Sequence, residues 1–230
     1  MLKQNLEDVI NNIKIACKNS GRDEKEVTLI AVSKTKPLSD IEELMDYGVN
    51  DFGENKVQEL IDKYENIKAP VDWHLIGHLQ TNKVKYIVDK VTLIHSVDSI
   101  HLAKEIEKEA AKKGVVVNVL IQVNIAHEDT KFGIDENQIY DILNEIKSFP
   151  HLKVKGLMTI APFVEDAEEN RPHFRNLYQL SLDIKSKNID NIDVSILSMG
   201  MTNDYMVAIE EGATMVRVGT GIFGARNYNI

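Results

Sequence analysis

The stretch TLIAVSKTKPLSDIEELMDYG, residues 28–48, holds one complete building unit of the fold. It opens with "TLIAVS", a short apolar run rich in strand formers, and closes with "LSDIEELMDYG", which has helical period and stops at Gly48, as helices often do. Between them Pro37 marks the exit from the strand into a helix beginning near Ser39. The same alternation recurs to the end of the chain. Seven further runs read as strands: "VNDFG", "DWHLIG", "TLIHSV", "VVVNVLIQVN", "VKGLM", "DVSILSM" and "TMVRVG". Helix-period segments such as "SIHLAKEIEKEAAKKG", ending at Gly114, and "ENQIYDILNEIKSF" lie between them. Residues 4–19 precede the first unit and set Leu6, Val9, Ile10, Ile13 and Ala16 or Cys17 at helical spacing before Ser20-Gly21. Eight strand-then-helix units predict an α/β fold, a single (β/α)8 barrel of the TIM type with an extra N-terminal helix, spanning residues 1–230 as one domain. A doubly wound open sheet uses the same local signals. The count of units, the lack of a GxGxxG after the first strand and the lack of a Pro/Gly/Ser-rich linker favour the barrel.

Composition narrows the function. The chain has 230 residues, 43% of them hydrophobic, enough to bury a full core. Twenty-seven basic against 36 acidic residues give a net charge of −9, which argues against a nucleic-acid or anionic-membrane surface while leaving room for a local anion pocket. Cys17 stands alone, so no internal disulfide is expected and a reducing compartment fits. No apolar run approaches the ~20 residues of a membrane span, and the acidic start "MLKQNLEDVI" does not read as a leader. The expectation is a cytoplasmic protein without a metal site, since neither HExxH nor CxxC occurs and His74 and His78 merely flank a strand end.

In a barrel of this kind ligands bind at the C-terminal ends of the strands, and here those ends are polar. Lys34 shares the parity of Ile30 and Val32, so its ammonium points wherever they point. A lysine there either pairs with a carboxylate such as Glu54 or serves as an amine that can form a Schiff base with an aldehyde. The last two strands are followed by "LSMGMTND" and "VRVGTGIFG", where glycines and hydroxyls offer donors to an anion at the place where such barrels often hold phosphate. Arg217 sits within the last strand between Val216 and Val218. A cation that cannot be deprotonated must face an acceptor there, either a carboxylate in the barrel or a ligand ring nitrogen. An amine that seeks an aldehyde, an anion cradle and such an arginine together describe a pocket for pyridoxal 5′-phosphate (PLP).

The same stretches carry a family resemblance. "LIAVSKTKP", "FGENKVQE", "WHLIGHLQTNK", "VLIQVNIAHEDTKFG", "GLMTIAP", "LSMGMTNDY" and "TMVRVGTGIFGAR" resemble, in order and from end to end, the pyridoxal phosphate homeostasis protein family, which is related in fold to the N-terminal barrel of alanine racemase. The resemblance implies a fold type III PLP-binding barrel in which Lys34 holds the cofactor as a Schiff base. It implies that Ser198, Gly200, Gly219 and Thr220 surround the phosphate, with Met199 in the same binding set. Arg217 would approach the pyridine nitrogen, and Asn55, in "GEN", would lie near the ring hydroxyl. Lys131, in "EDTKFG", matches another family lysine and reads as a solvated loop charge.

The resemblance further implies a carrier that stores, buffers or delivers PLP without turnover, PLP-dependent apo-enzymes as candidate partners, and a monomer whose N-terminal helix packs on its own barrel. Racemases take their second base from an additional C-terminal domain, and this sequence ends at Ile230, soon after the eighth strand. The alternatives are a PLP-dependent racemase or decarboxylase drawing a base such as His78 from a loop, and a Schiff-base aldolase acting on a sugar phosphate.

Overall fold

The eight apolar runs form eight parallel strands: β1 Thr28–Val32, β2 Asp51–Glu54, β3 Asp72–Leu75, β4 Leu93–Val97, β5 Val117–Gln122, β6 Leu152–Met158, β7 Ile192–Met201 and β8 Met215–Val218. In the computed structural model, which describes residues 1–127 and 132–225, each strand pairs with the next. Pairing of β1 with β8, from Thr28 opposite Met215 to Ala31 opposite Val218, closes the barrel. The helices are α1 Leu2–Ser20, α2 Leu38–Asp46, α3 Val57–Asn66, α4 Ile100–Lys113, α5 Ile139–Ile146, α6 Arg171–Ser186, α7 Tyr205–Glu210 and α8 Thr220–Phe223. Between β3 and β4 the connection is a 3-10 segment, Thr81–Tyr86, rather than an α-helix.

Local chemistry sets the boundaries. The Ser99 hydroxyl accepts from the amide of Leu102 at the start of α4, and Gly114 ends that helix in the left-handed region. Gly21 ends α1 in the same way. Leu6, Val9, Ile13, Ala16 and Cys17 of α1 are buried against the chain itself, while Ile10, expected on that stripe, is 37% exposed at its edge. Asn5 donates to the carbonyl of Ile222 and Asn12 to the Tyr205 hydroxyl, which tie α1 to α8 and α7. Among the described residues no helix is long and apolar enough to cross a membrane.

Strand alternation sorts side chains into two layers. Outward residues such as Ala31, Phe52, Trp73, Leu75, Ile94, Val119, Leu197, Met199, Val216 and Val218 join helix residues in one continuous core. Each fully buried Leu or Ile there stabilises the fold by about 1.5–3 kcal/mol. The inward layer is different. A small apolar group, Leu93, Leu120 and Met158, is flanked by polar side chains, His74, His95, Ser198 and Arg217, all nearly or fully buried. Gly156 is forced by crowding in this wall, because a Cβ there would lie 1.8 Å from the carbonyl oxygen of Ile196 on β7.

Candidate functional site

A cavity of about 540 Å³ opens at the C-terminal ends of the strands. Val32 lines it from the end of β1 and Lys34 from the turn after it, Asn55 from just past β2, Arg217 from β8, and Thr202, Gly219 and Thr220 from the last two loops. β1 ends at Val32, and residues 33–36 then turn, with the Lys36 amide donating to the Ser33 carbonyl at 3.0 Å. Val32 and Lys34 both face the cavity, Val32 from the strand end and Lys34 from the turn that follows it. The carboxylate suggested as a partner for Lys34 has other work: Glu54, fully buried, accepts from Lys63 at 2.7 Å and from the Ser33 hydroxyl. Burial pushes its carboxyl above the ordinary range, and Lys63 opposes that.

The loop after β7 sits differently from its sequence reading. β7 runs on to Met201, two residues past "DVSILSM", so the turn begins later. Ser198, Met199 and Gly200 therefore lie within the strand rather than in the loop. Ser198 is fully buried below the cavity, its hydroxyl held between Arg217 and His95. Met199 has outward parity and packs in the core between sheet and helices. Gly200, at φ +88, lets β7 press onto α7, since a Cβ would come within 2.5 Å of the Ala208 Cβ and 2.9 Å of the Tyr205 Cα. From this loop the hydroxyl at the cavity is that of Thr202, in "LSMGMTND", which the expected ligand set does not include. Its Oγ1 accepts from the Gly219 amide at 3.3 Å, the Gly221 amide at 3.4 Å and the Thr220 hydroxyl at 3.3 Å. These long bonds gather the donors of both loops at one point. Asp204 holds the first loop in place, accepting from the Met201 amide at 2.7 Å and from Asn170 Nδ2 at 2.8 Å.

Arg217 is 3% exposed, and among the described residues no carboxylate lies within ion-pair distance of it. One N–H group donates to Ser198 Oγ at 2.6 Å and another to the Thr159 carbonyl at 2.8 Å. Burial lowers its pKa to about 10, with Asp204 acting against that through space. Behind it runs a line of side chains that no local sequence pattern connects. His95 Nδ1 lies 2.9 Å from Ser198 Oγ, His95 Nε2 lies 3.0 Å from His74 Nδ1, and His74 Nε2 lies 3.0 Å from Asp51 Oδ1. An arginine only donates and an ionised carboxylate only accepts, so with one proton on each ring the two ends leave a single arrangement between them. Arg217 donates to Ser198, Ser198 to His95 Nδ1, His95 Nε2–H to His74 and His74 Nε2–H to Asp51. Desolvation first, then His74 and Arg217, keep the His95 pKa well below 6.5, which holds the ring neutral.

Asn55 completes the wall. Its Oδ1 is buried without a hydrogen-bond partner among the described residues. Its backbone is fixed by close packing, because a Cβ on Gly77 would sit 2.4 Å from the Asn55 carbonyl oxygen. His78 is outside the cavity lining, paired with Asp98 at 3.1 Å and stacked on Phe132 at 3.9 Å. Lys131 lies outside the described residues. No group of three metal-ligating side chains occurs among the described residues.

The chain is similar to known proteins in sequence and fold. The family model for the alanine racemase N-terminal domain matches residues 4–227. A pyridoxal phosphate homeostasis protein of Aquifex aeolicus is 45% identical over 226 residues, 98% of each chain. PipY of Synechococcus elongatus, solved with PLP bound, superposes with a TM-score of 0.82 at 32% identity, covering 93% of this chain and 100% of that one. An alanine racemase of Clostridium difficile shares the fold, with a TM-score of 0.76 at 16% identity over 99% of this chain and 60% of that one. With its residues matched almost end to end, the chain belongs to the pyridoxal phosphate homeostasis protein family, within the group built on the alanine racemase N-terminal barrel.

Proposed function

We propose that the protein binds pyridoxal 5′-phosphate reversibly through Lys34 and carries it without turnover. The observation that bears most weight is a buried arginine with no carboxylate at ion-pair distance among the described residues, facing across one cavity a lysine and a two-loop set of anion donors. The residues fit the cofactor. Asn55 Oδ1, buried and unpartnered, suits the ring hydroxyl, and the cavity volume suits one ring and a phosphate. Thr202 and Thr220 hydroxyls and the Gly219 and Gly221 amides would hold the phosphate. The cofactor supplies an aldehyde that condenses reversibly with an amine, and a ring that can withdraw electrons.

Arg217 decides which of these is used. Two of its N–H groups are held by Ser198 and Thr159, so its orientation is set before any ligand arrives. Because it only donates, it holds a ring nitrogen as an acceptor and thereby weakens the ring as an electron sink. The lining offers no second base beside Lys34: Asp204, its one carboxylate among the described residues, is taken by Met201 and Asn170. Both points support holding the aldehyde rather than amino-acid chemistry, as do the name of the Aquifex relative and the PLP bound to PipY. Delivery to PLP-dependent apo-enzymes, a monomeric state and residence in the cytoplasm belong to the same reading. The test is to add PLP, reduce with borohydride and map the labelled peptide. A visible band fixed on the peptide bearing Lys34 is expected; no band, or a label elsewhere, overturns the reading.

A further inference from the structure

Lys34 sits in a turn whose shape does not come from β1. The residue after it, Thr35, has φ +64, a left-handed conformation that a β-branched side chain disfavours. Such a turn persists only where its surroundings hold it. The holder is a buried ionic cluster reached from α3. Lys63, 4% exposed, spends its ammonium donors on the Ser33 carbonyl, Glu54 Oε1 and Glu59 Oε1, each at 2.7 Å. The two carboxylates reach the turn as well: Glu54 accepts from the Ser33 hydroxyl and Glu59 from the Thr35 amide. Both neighbours of Lys34 are thus tied to one cation, and none of Lys63, Glu54 and Glu59 lines the cavity.

We propose that Lys63 is a positioning residue for Lys34, its ammonium locking Ser33 and Thr35 through two carboxylates so that the Lys34 amine is aimed into the cavity. The proposal rests on Lys34 being the amine that meets the cofactor. An ammonium suits the task because three acceptors approach from three directions, which a planar guanidinium cannot match. Glu54 also precedes Asn55 in the cavity wall, but the hydrogen bonds of the cluster go to Ser33 and Thr35 on either side of Lys34, so its loss should impair the amine far more than the phosphate and ring contacts.

Two variants separate these effects. Lys63→Met removes the cation. Glu59→Ala, at a side chain 23% exposed, releases only the Thr35 amide and one arm of the cluster, and keeps the test alive should the first variant not fold. Two readouts are compared with the wild-type chain: the rate of borohydride trapping of PLP on Lys34, and the dissociation constant for pyridoxine 5′-phosphate, which has no aldehyde. Trapping should fall about ten- to a hundredfold, the usual effect of misplacing a reacting group by about an ångström. Binding of the aldehyde-free analogue should stay within about twofold of wild type. Unchanged trapping in the folded variants overturns the proposal. So does a parallel loss of analogue binding, which would make the cluster a support of the whole pocket. A wild-type protein never labelled at Lys34 removes the premise instead, and that result is read before either variant is made.

Discussion

Replacing Ser198 by alanine should destabilise the cofactor-free protein by about 3 kcal/mol, although the change removes a single oxygen. The hydroxyl accepts from Arg217 at 2.6 Å and donates to His95 Nδ1, 2.9 Å away, in a site with no solvent exposure. Alanine leaves a cationic donor and a ring acceptor buried without partners, each costing roughly 1–3 kcal/mol, with the charged group at the upper end. In a domain of this length 1 kcal/mol moves the melting temperature by about 2–4 °C, so a fall of about 6–12 °C is expected. Urea titration should show a lower midpoint with an unchanged slope, since the loss is local and the surface exposed on unfolding is the same. A loss below about 0.5 kcal/mol, joined by weaker phosphate binding, would refute this account and return the Ser198 hydroxyl to the ligand.

Thr202→Val gives the opposite pattern: removing the Oγ1 that gathers the Gly219 and Gly221 amides should weaken binding of PLP and of pyridoxine 5′-phosphate about tenfold or more by titration, with stability changed by less than about 1 kcal/mol. Equal affinity of the variant and the wild type would remove Thr202 from the phosphate site. The His95 pKa is depressed in the folded protein, so the unfolded chain binds one more proton once the pH drops below about 6.5. Stability from this group is therefore present above pH 6.5 and lost as the pH falls toward its folded value, by up to about 1.4 kcal/mol per pH unit. Urea titrations from pH 7 to pH 5 should show that slope reduced in His95→Asn, which keeps an acceptor for Ser198. Identical slopes would show that His95 is protonated in the folded protein.

Much of the site could be read because it depends on local spacing. Lys34 follows Ile30 and Val32 by twos, and that spacing picks out the residue that lines the cavity, although the turn that carries it is held from α3. Glycines and threonines after the last two strands marked the loops, and two of those residues, Gly219 and Thr220, do face the cavity. The place of Ser198 could not be read, because its local pattern is equally compatible with a strand end and with a strand interior. Only the ladder, in which Met201 still pairs with Arg217, shows that β7 continues and that Thr202 is the residue past its end.

The sequence by itself determined the alternation of strand and helix, the two faces of each strand and the helix ends at Gly21 and Gly114, because periodicity and capping act within a few residues. Tertiary structure alone decided which polar side chains meet. His95 and Ser198 are 103 positions apart and touch only because closing the barrel brings β4 and β7 across its interior, and Lys63 reaches Ser33 only because α3 packs back beside the end of β1. A buried polar group must find its partner in space rather than along the chain, so those contacts follow from the closed barrel and not from any local pattern of residues.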